Sequence, residues 1–527
     1  MTRILILIAA VLGMVPHAHA EQSVIRAVMN GDLRSVDPLW TIVPQTRNHA
    51  YMVYDTLFGI DENRVPQPQM VDTWTVSDDK LIYRFKLRAH LAFSDSAPVT
   101  SADVLASLKR WMQIDPGGQF IGRFLTAMEP DGTDGFVFRL KEPFPQLLYA
   151  IGRVSAVPTF IYPARVVDGL PVSKAFTDPT GSGPFIMKRD EWVAGSKVVY
   201  VKNPAYVPRA EPPSAIAGGK HVYVDRVEWL NITDAVTQVS ALKTGEIDFI
   251  QFAPPDLIED LRRTKGIVVK PTWPVGTQGI MRLNWTNPPM DKQGVRVAIQ
   301  NFVHQPDMIM AVMGDMKAGQ VCGALAMCGS PMGNETGTEL LLSNDPEAVR
   351  LQRGMKMMKD AGYAGEPIVI MDATDQVMQH NATLVLADAM RKAGVNVDLQ
   401  TIDWAALTAR RTNRGPGPNG WHIFLTTGGQ IGGENPAFSM QAPATCEKAF
   451  PGWACDADYE TLRMAWLKEP DLAKAKALAV EIQRRAMQIG LAIPYGQYLL
   501  PAAWRDALEG VVQVPEHVVF WGMRKRE

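Results

Sequence analysis

Histidine is scarce in this sequence, with nine in 527 residues and two of those inside the first twenty. The seven that follow (His49, His90, His221, His304, His380, His422 and His517) show no spacing that would set two of them together as a metal pair. Each is read singly, as a hydrogen-bonded structural residue. Cysteine is rarer still: four, in two close pairs, Cys322 with Cys328 and Cys446 with Cys455. Neither pair has the two-to-four-residue spacing usual for a zinc site. In an exported chain, close pairs are expected to form local disulfides, Cys322–Cys328 and Cys446–Cys455, although sequence alone does not fix the connectivity.

Charge of one sign is missing too. There are 53 Lys and Arg against 55 Asp and Glu, so nothing points to nucleic acid or an anionic membrane surface. Long apolar runs are absent beyond the N-terminus. The strongest later stretch, Val295 to Met313, is interrupted by Gln300, His304 and Asp307, so a membrane-embedded chain is not expected. The sequence holds no Walker A string, no H-E-x-x-H and no G-x-S-x-G. Gly415-Pro416-Gly417-Pro418-Asn419-Gly420 fits G-x-G-x-x-G as letters only, because its prolines remove amides that a pyrophosphate would need. Adjacent acids such as Asp78-Asp79 mark a solvated turn. No catalytic constellation, cofactor or metal is expected, and an exported hydrolase is the weakest of the readings.

What is present begins with Arg3, followed by a mostly apolar run from Ile4 to Val15, then Pro16 and Ala18-His19-Ala20. The run is too short to span a bilayer, which takes about 20 residues, and its small-x-small end is what a signal peptidase reads. Residues 1–20 are therefore expected to be a signal peptide cut after Ala20, leaving a periplasmic chain with no cysteine at the cut for lipid attachment. The remaining length exceeds what one hydrophobic core usually serves, so two lobes are expected.

Strand and helix signals alternate along the mature chain. Ser23 to Met29 and Leu81 to Arg88 have strand character, and Thr100 to Asp103 opens a helix in capping-box style with Val104, Leu108 and Trp111 on its core face. Asn344-Asp345-Pro346 starts a helix that carries Leu351, Met355 and Met358 on one face and ends at Gly362. Residues 367–371, 376–393 and 395–400 then read strand, helix, strand, and 222–230, 234–243 and 247–250 repeat the grammar. Two such regions imply two α/β lobes with parallel pairing. The segments 207–219 and 415–420 read as surface loops.

In order, the punctuation resembles one family, the dipeptide, oligopeptide and nickel type (family 5) solute-binding proteins of ABC importers. Leu33-Arg34-Ser35-Val36-Asp37-Pro38 resembles its L-x-x-L-D-P loop, and Tyr54-Asp55-Thr56-Leu57-Phe58 its Y-x-x-L-F segment. Trp74, Ser77-Asp78-Asp79, Tyr83-x-Phe85-x-Leu87-Arg88, Phe93-Ser94-Asp95, Pro98-Val99-Thr100 and Asp103-Val104 form the most specific block. Thr180 to Phe185, Leu242 to Asp248, Val295 to Ile299 and Asp360 to Tyr363 follow in family order. The resemblance implies a two-lobed periplasmic-binding-protein fold with an extra subdomain inserted in the first lobe. Lobe I would cover 21–271, with the insertion at about 50–180, and lobe II 272–490. Residues 491–527 would return to lobe I, with crossings near Pro271 and near Ile493 to Gln497. It also implies a monomer that captures a peptide-like or other small organic solute between the lobes and delivers it to a membrane permease. A nickel or haem receptor of the same fold is the alternative.

Peptide-binding members resemble G-W-x-x-D-x-x-D-P-x-x-F in a second-lobe loop, whose first aspartate pairs with the peptide ammonium. Here the matching stretch runs from Leu425 to Phe438, and the anchor position falls on Gly428 or Gly429. Glycine cannot pair a cation, so a free peptide N-terminus is not the expected ligand group; Glu434 is nearby but in the wrong part of the motif, and the alternative reading is that the match slips and Glu434 or another acid supplies the anchor. Expected solute contacts are Trp40, Gln278, Trp404, Arg410, Thr427, Gly428, Gly429 and Gln430, with Arg410 suited to a carboxylate.

Overall fold

The computed structural model describes residues 23–273, 275–428, 434–438 and 442–526. The expected signal segment lies outside them. Among the described residues, two sheets organise the chain. The first has seven strands in the order Phe185–Met187, Lys197–Lys202, Arg226–Leu230, Val24–Val28, Phe249–Ile250, Pro501–Arg505 and Ile267–Pro271. The second has six: Gly319–Gln320, Ile493–Tyr498, Thr277–Leu283, Ile423–Gly428, Ile368–Ala373 and Val397–Ile402. Each sheet has helices packed on it and its own buried core. This is the expected two-lobed α/β fold.

Local chemistry places these elements. Val24–Val28 pairs in parallel with both Arg226–Leu230 and Phe249–Ile250, and the connecting helix Ala235–Thr244 is capped by Asp234 and stopped at Gly245 in the left-handed region. Ile368–Ala373 and Val397–Ile402 are parallel neighbours joined by the helix Val377–Lys392. Thr100 and Asp103 form the capping box of the helix Ser101–Trp111, whose Val104, Leu108 and Trp111 are buried. The helix expected after Asn344-Asp345-Pro346 runs Glu347–Asp360, with Pro346 as its cap residue rather than its first turn.

A separate four-stranded sheet, Val71–Val76, Ile82–Leu87, Gly135–Leu140 and Leu125–Pro130, packs with the helices Ser101–Trp111 and Pro116–Phe124. It is tied to the first lobe by Arg110, which donates to Asp37 at 3.1 and 2.7 Å in a fully buried pair.

The chain passes between the large sheets twice, side by side. Pro271 pairs with Pro501 at the edge of the first sheet, and Thr277 pairs with Tyr498 at the edge of the second. Ile493–Tyr498, placed by sequence at the return to the first lobe, still belongs to the second sheet; the first-sheet strand begins at Pro501. Gly276 sits in this double crossing with φ +74°, and a Cβ there would lie 2.2 Å from the Tyr498 carbonyl oxygen, so only glycine fits. Both cysteine pairs are disulfides, with Cα separations of 6.0 Å for Cys322–Cys328 and 4.1 Å for Cys446–Cys455. No helix among the described residues is long and apolar enough to cross a membrane.

Candidate functional site

A cavity of about 610 Å3 lies between the sheets, and both lobes supply its walls. On the first-lobe side, Asp115 caps the helix Pro116–Phe124, with Oδ1 accepting from the amides of Gly117 and Gly118 at 2.8 and 3.1 Å. The same carboxylate accepts from Arg153 Nη2 at 2.9 and 2.8 Å, and both side chains are buried. Arg47, on the helix Pro44–Val53, lies 3.8 Å from Glu516. Burial pulls the Arg47 guanidinium below its ordinary range while Glu516 pushes it back up. The acids on this wall are thus committed to arginines.

The opposite wall is built by strand alternation and helix periodicity. In the antiparallel pair Thr277–Leu283 and Ile423–Gly428, Ile280 faces Thr426 and Arg282 faces Phe424, putting these side chains on one face. Trp404, Thr408 and Arg411 reach the cavity from the helix Trp404–Arg410 and its C-cap, at the i, i+4, i+7 spacing of one helical face. Phe450 comes from the loop that the Cys446–Cys455 disulfide closes. The Arg282 guanidinium carbon lies 5.4 Å from the centre of the Phe450 ring, and that of Arg411 lies 5.0 Å from it and 6.0 Å from Phe424. Burial lowers the pKa of Arg282 to about 10, with the Arg411 charge adding to the fall, and burial lowers Arg411 as well. Tyr459, also on the lining, is raised to about 12 by burial and stays neutral.

A second-lobe segment bridges the mouth. Glu434 accepts from Arg64 Nε at 2.9 Å, Arg64 also donates to the Gly329 carbonyl at 3.0 Å, and Asn435 donates to the Tyr149 hydroxyl at 3.3 Å. Phe438 packs edge-on to Phe120, stacks on Tyr149 at 5.9 Å and lies under Arg153 at 5.2 Å. Burial raises the Glu434 pKa, and Arg64 opposes it. Glu434 is therefore spent on Arg64 and is not a spare anchor for an ammonium group. At Gly428 a Cβ would meet Ile280 Cδ1 at 2.7 Å, so a side chain there requires the end of that isoleucine to move.

The expected contact residues divide. Trp404, Thr427 and Gly428 line the cavity. Trp40 does not and is half exposed, while Ile42, two residues on, does. Gln278 is fully buried, its amide donating to the Ala324 carbonyl. Arg410 turns outward and clips the carbonyls of Asn419 and Gly420 at 3.2 and 2.6 Å; its neighbour Arg411 is the arginine at the cavity. Gly429 and Gln430 lie outside the described residues. Arg282 and Phe450 were missed by the sequence reading. A charged residue at an alternating position of a buried strand was a usable signal for the first; nothing local marked the second.

The histidines are dispersed. His49 meets Tyr200 at 2.9 Å and burial lowers its pKa to about 3, while His380 bonds Asp372 at 2.9 Å. Among the described residues, the one cluster of possible metal ligands is Cys322, Cys328 and Glu335, and its two sulfurs are joined in a disulfide.

Comparison with known proteins agrees with this architecture. Residues 65–448 match the model of the bacterial extracellular solute-binding proteins, family 5. A probable peptide ABC transporter periplasmic-binding protein of Sinorhizobium fredii is 35% identical over 513 residues, covering 96% of this chain and 94% of that one. A glutathione-binding protein of Escherichia coli is 22% identical over 80% of this chain and 79% of its own. Among solved structures, a dipeptide-type periplasmic binding protein of Helicobacter pylori in complex with the peptide STSA superposes with a TM-score of 0.76 at 18% identity, over 96% of this chain and 99% of that one. The agropinic acid complex of a periplasmic binding protein from Agrobacterium gives 0.75 at 18% identity, with the same coverage. The chain belongs to the bacterial extracellular solute-binding proteins of family 5, and it is a binding protein rather than an enzyme.

Proposed function

We propose that this protein is the periplasmic receptor of an ABC importer, exported by cleavage after Ala20 and acting as a monomer, and that the cavity between its lobes holds a peptide-like or other small organic solute. The observation that carries this reading is the cavity itself. Its volume suits a small solute, both lobes line it, and the crossing strands form a double hinge. A solute touching both walls stabilises the closed arrangement over the open one by its differential contacts. Shifting such an equilibrium from almost fully open to almost fully closed takes about 5.5 kcal/mol, within reach of a few hydrogen bonds and one stacked ring. The permease then has two shapes of one receptor to tell apart.

The test is native mass spectrometry of protein purified from its periplasm without denaturation. One small organic mass bound one to one, and lost in Trp404→Ala, is expected. Nickel or haem in its place would establish the metal-receptor alternative, and chemical conversion of the recovered compound would overturn a binding-only role.

A further inference from the structure

A first-lobe hairpin reaches across to the second lobe. It joins the strands Phe58–Ile60 and Pro66–Pro68, and Asp61 clamps its tip by accepting from the amides of Asn63 and Val65 at 2.9 Å each. Arg64 sits in that tip with φ +63°, a left-handed conformation for which glycine is the ordinary choice. Its side chain is only 11% exposed. Nε donates to Glu434 at 2.9 Å, Nη1 donates to the Gly329 carbonyl at 3.0 Å, and the guanidinium carbon lies 5.7 Å from the centre of the Trp273 ring. Both acceptors belong to the second lobe. Gly329 follows the disulfide loop, whose Cys322 and Cys328 amides donate to Gln305 and Gln497. Glu434 follows the strand Ile423–Gly428, and its neighbours Asn435, Pro436 and Phe438 line the cavity. Lys468 and Glu142 also pair across the lobes, at 2.9 Å, but both are half exposed and such a pair contributes little. Arg64 and Glu434 are buried, and removing one partner of a buried pair strands the other.

Resting on the reading that this cavity holds the solute, we infer that Arg64 is a positioning residue of the site: it latches residues 434–438 in the closed arrangement, so that solute leaves only when Arg64 lets go of Glu434 and Gly329. Opening the lobes returns both charges to water, where each is solvated and the pair is worth little. Closing them buries both, and the closed form then tolerates only the arrangement in which Nε and Nη1 find their two acceptors. The pair thus selects one closed position rather than supplying a large net attraction. An arginine at a glycine-like turn position fits this role, since the clamped tip holds the side chain toward the other lobe at a cost in backbone strain.

All four cysteines are in disulfides, so spin labels attach only at introduced thiols, Val236→Cys and Val349→Cys, at exposed positions on the first and second lobes. Pulsed electron paramagnetic resonance then measures the inter-lobe distance in the whole, natively purified protein. Native mass spectrometry after dilution follows the release of the solute that co-purifies with it. Arg64→Gly is the variant to make, because it relieves the turn and should leave the urea midpoint of the solute-free protein unchanged or higher. It is expected to add a longer-distance population and to release the co-purified solute about tenfold faster or more. Adding Glu434→Gln to it should bring back part of the short distance and of the retention, by removing the stranded charge. Unchanged distances and release rates in Arg64→Gly overturn the latch, as does a double variant no better than the single one. A fall in the urea midpoint that matches the loss of solute would make Arg64 a structural part and overturn it too. If the wild-type protein carries no solute yet Arg64→Gly still lengthens the distance, the latch stands and the receptor reading falls.

Discussion

The two walls of one cleft use arginine in opposite ways. On the first-lobe wall Arg153 is locked to Asp115, and that carboxylate also caps a helix, so charge there is a structural part. On the second-lobe wall Arg282 and Arg411 lean on Phe450 and repel each other. The same residue type can thus sit in an ion pair on one wall and on an aromatic ring on the other. A wall built on an ion pair is fixed when the chain folds, whereas a wall of neighbouring arginines leaning on one ring keeps its positive charge toward the cavity.

Three changes would break or sharpen that contrast. Asp115→Ala should cost the most, about 3–5 kcal/mol, because it strands the buried Arg153 charge and uncaps a helix; urea denaturation measures it. If the loss were under about 1 kcal/mol, the paired wall would not be structural. Replacing Cys446 and Cys455 by serine should cost about 2–3 kcal/mol through the freed loop, and should weaken solute binding by letting Phe450 drift from the arginines. Stability and affinity measured on the same samples separate the two effects. Arg411→Met should change stability least, by less than about 1 kcal/mol, since a cation–ring contact is lost while a like-charge contact is relieved. A large loss there would place Arg411 with the structural arginines.

pH distinguishes paired from buried groups elsewhere in the molecule. His49, His422 and His517 are all held below the ordinary histidine pKa by burial. For a base with a depressed folded pKa, the unfolded chain takes up the extra proton. Stability is therefore complete above about 6.5 and falls as pH drops below it, by about 1.4 kcal/mol per pH unit for each fully depressed site. For His49 the fall continues to about pH 3. Tm measured from pH 7.5 to 4.5 should decline throughout the lower half of that range.

Much of this was readable in the chain. The strand-helix-strand units at 222–250 and 367–400 were found because caps, glycine stops and apolar periodicity are local signals, and the cysteine pairs because short loops close onto themselves. The site was legible in part. Trp404 and Thr427 were placed at the cavity from family order, yet Arg410 was chosen over Arg411. On a helix one residue is a turn of about 100°, and only the position of Arg411 beside Trp404 and Thr408 on the cavity wall, over the Phe424 and Phe450 rings, shows which arginine faces inward. Gln278 failed because its side chain is buried and committed to the Ala324 carbonyl, a partner 46 positions away.

By itself the sequence determined the two α/β lobes, the two close cysteine pairs and the missing acid at Gly428-Gly429, because each depends on residues near one another in the chain. Only the tertiary structure decided that Glu434 is spent on Arg64, 370 positions away, and that Phe450 brings Arg282 and Arg411 together. Which charges are neutralised and which are left facing a cavity is a property of distances through space, and these are set when the two lobes meet.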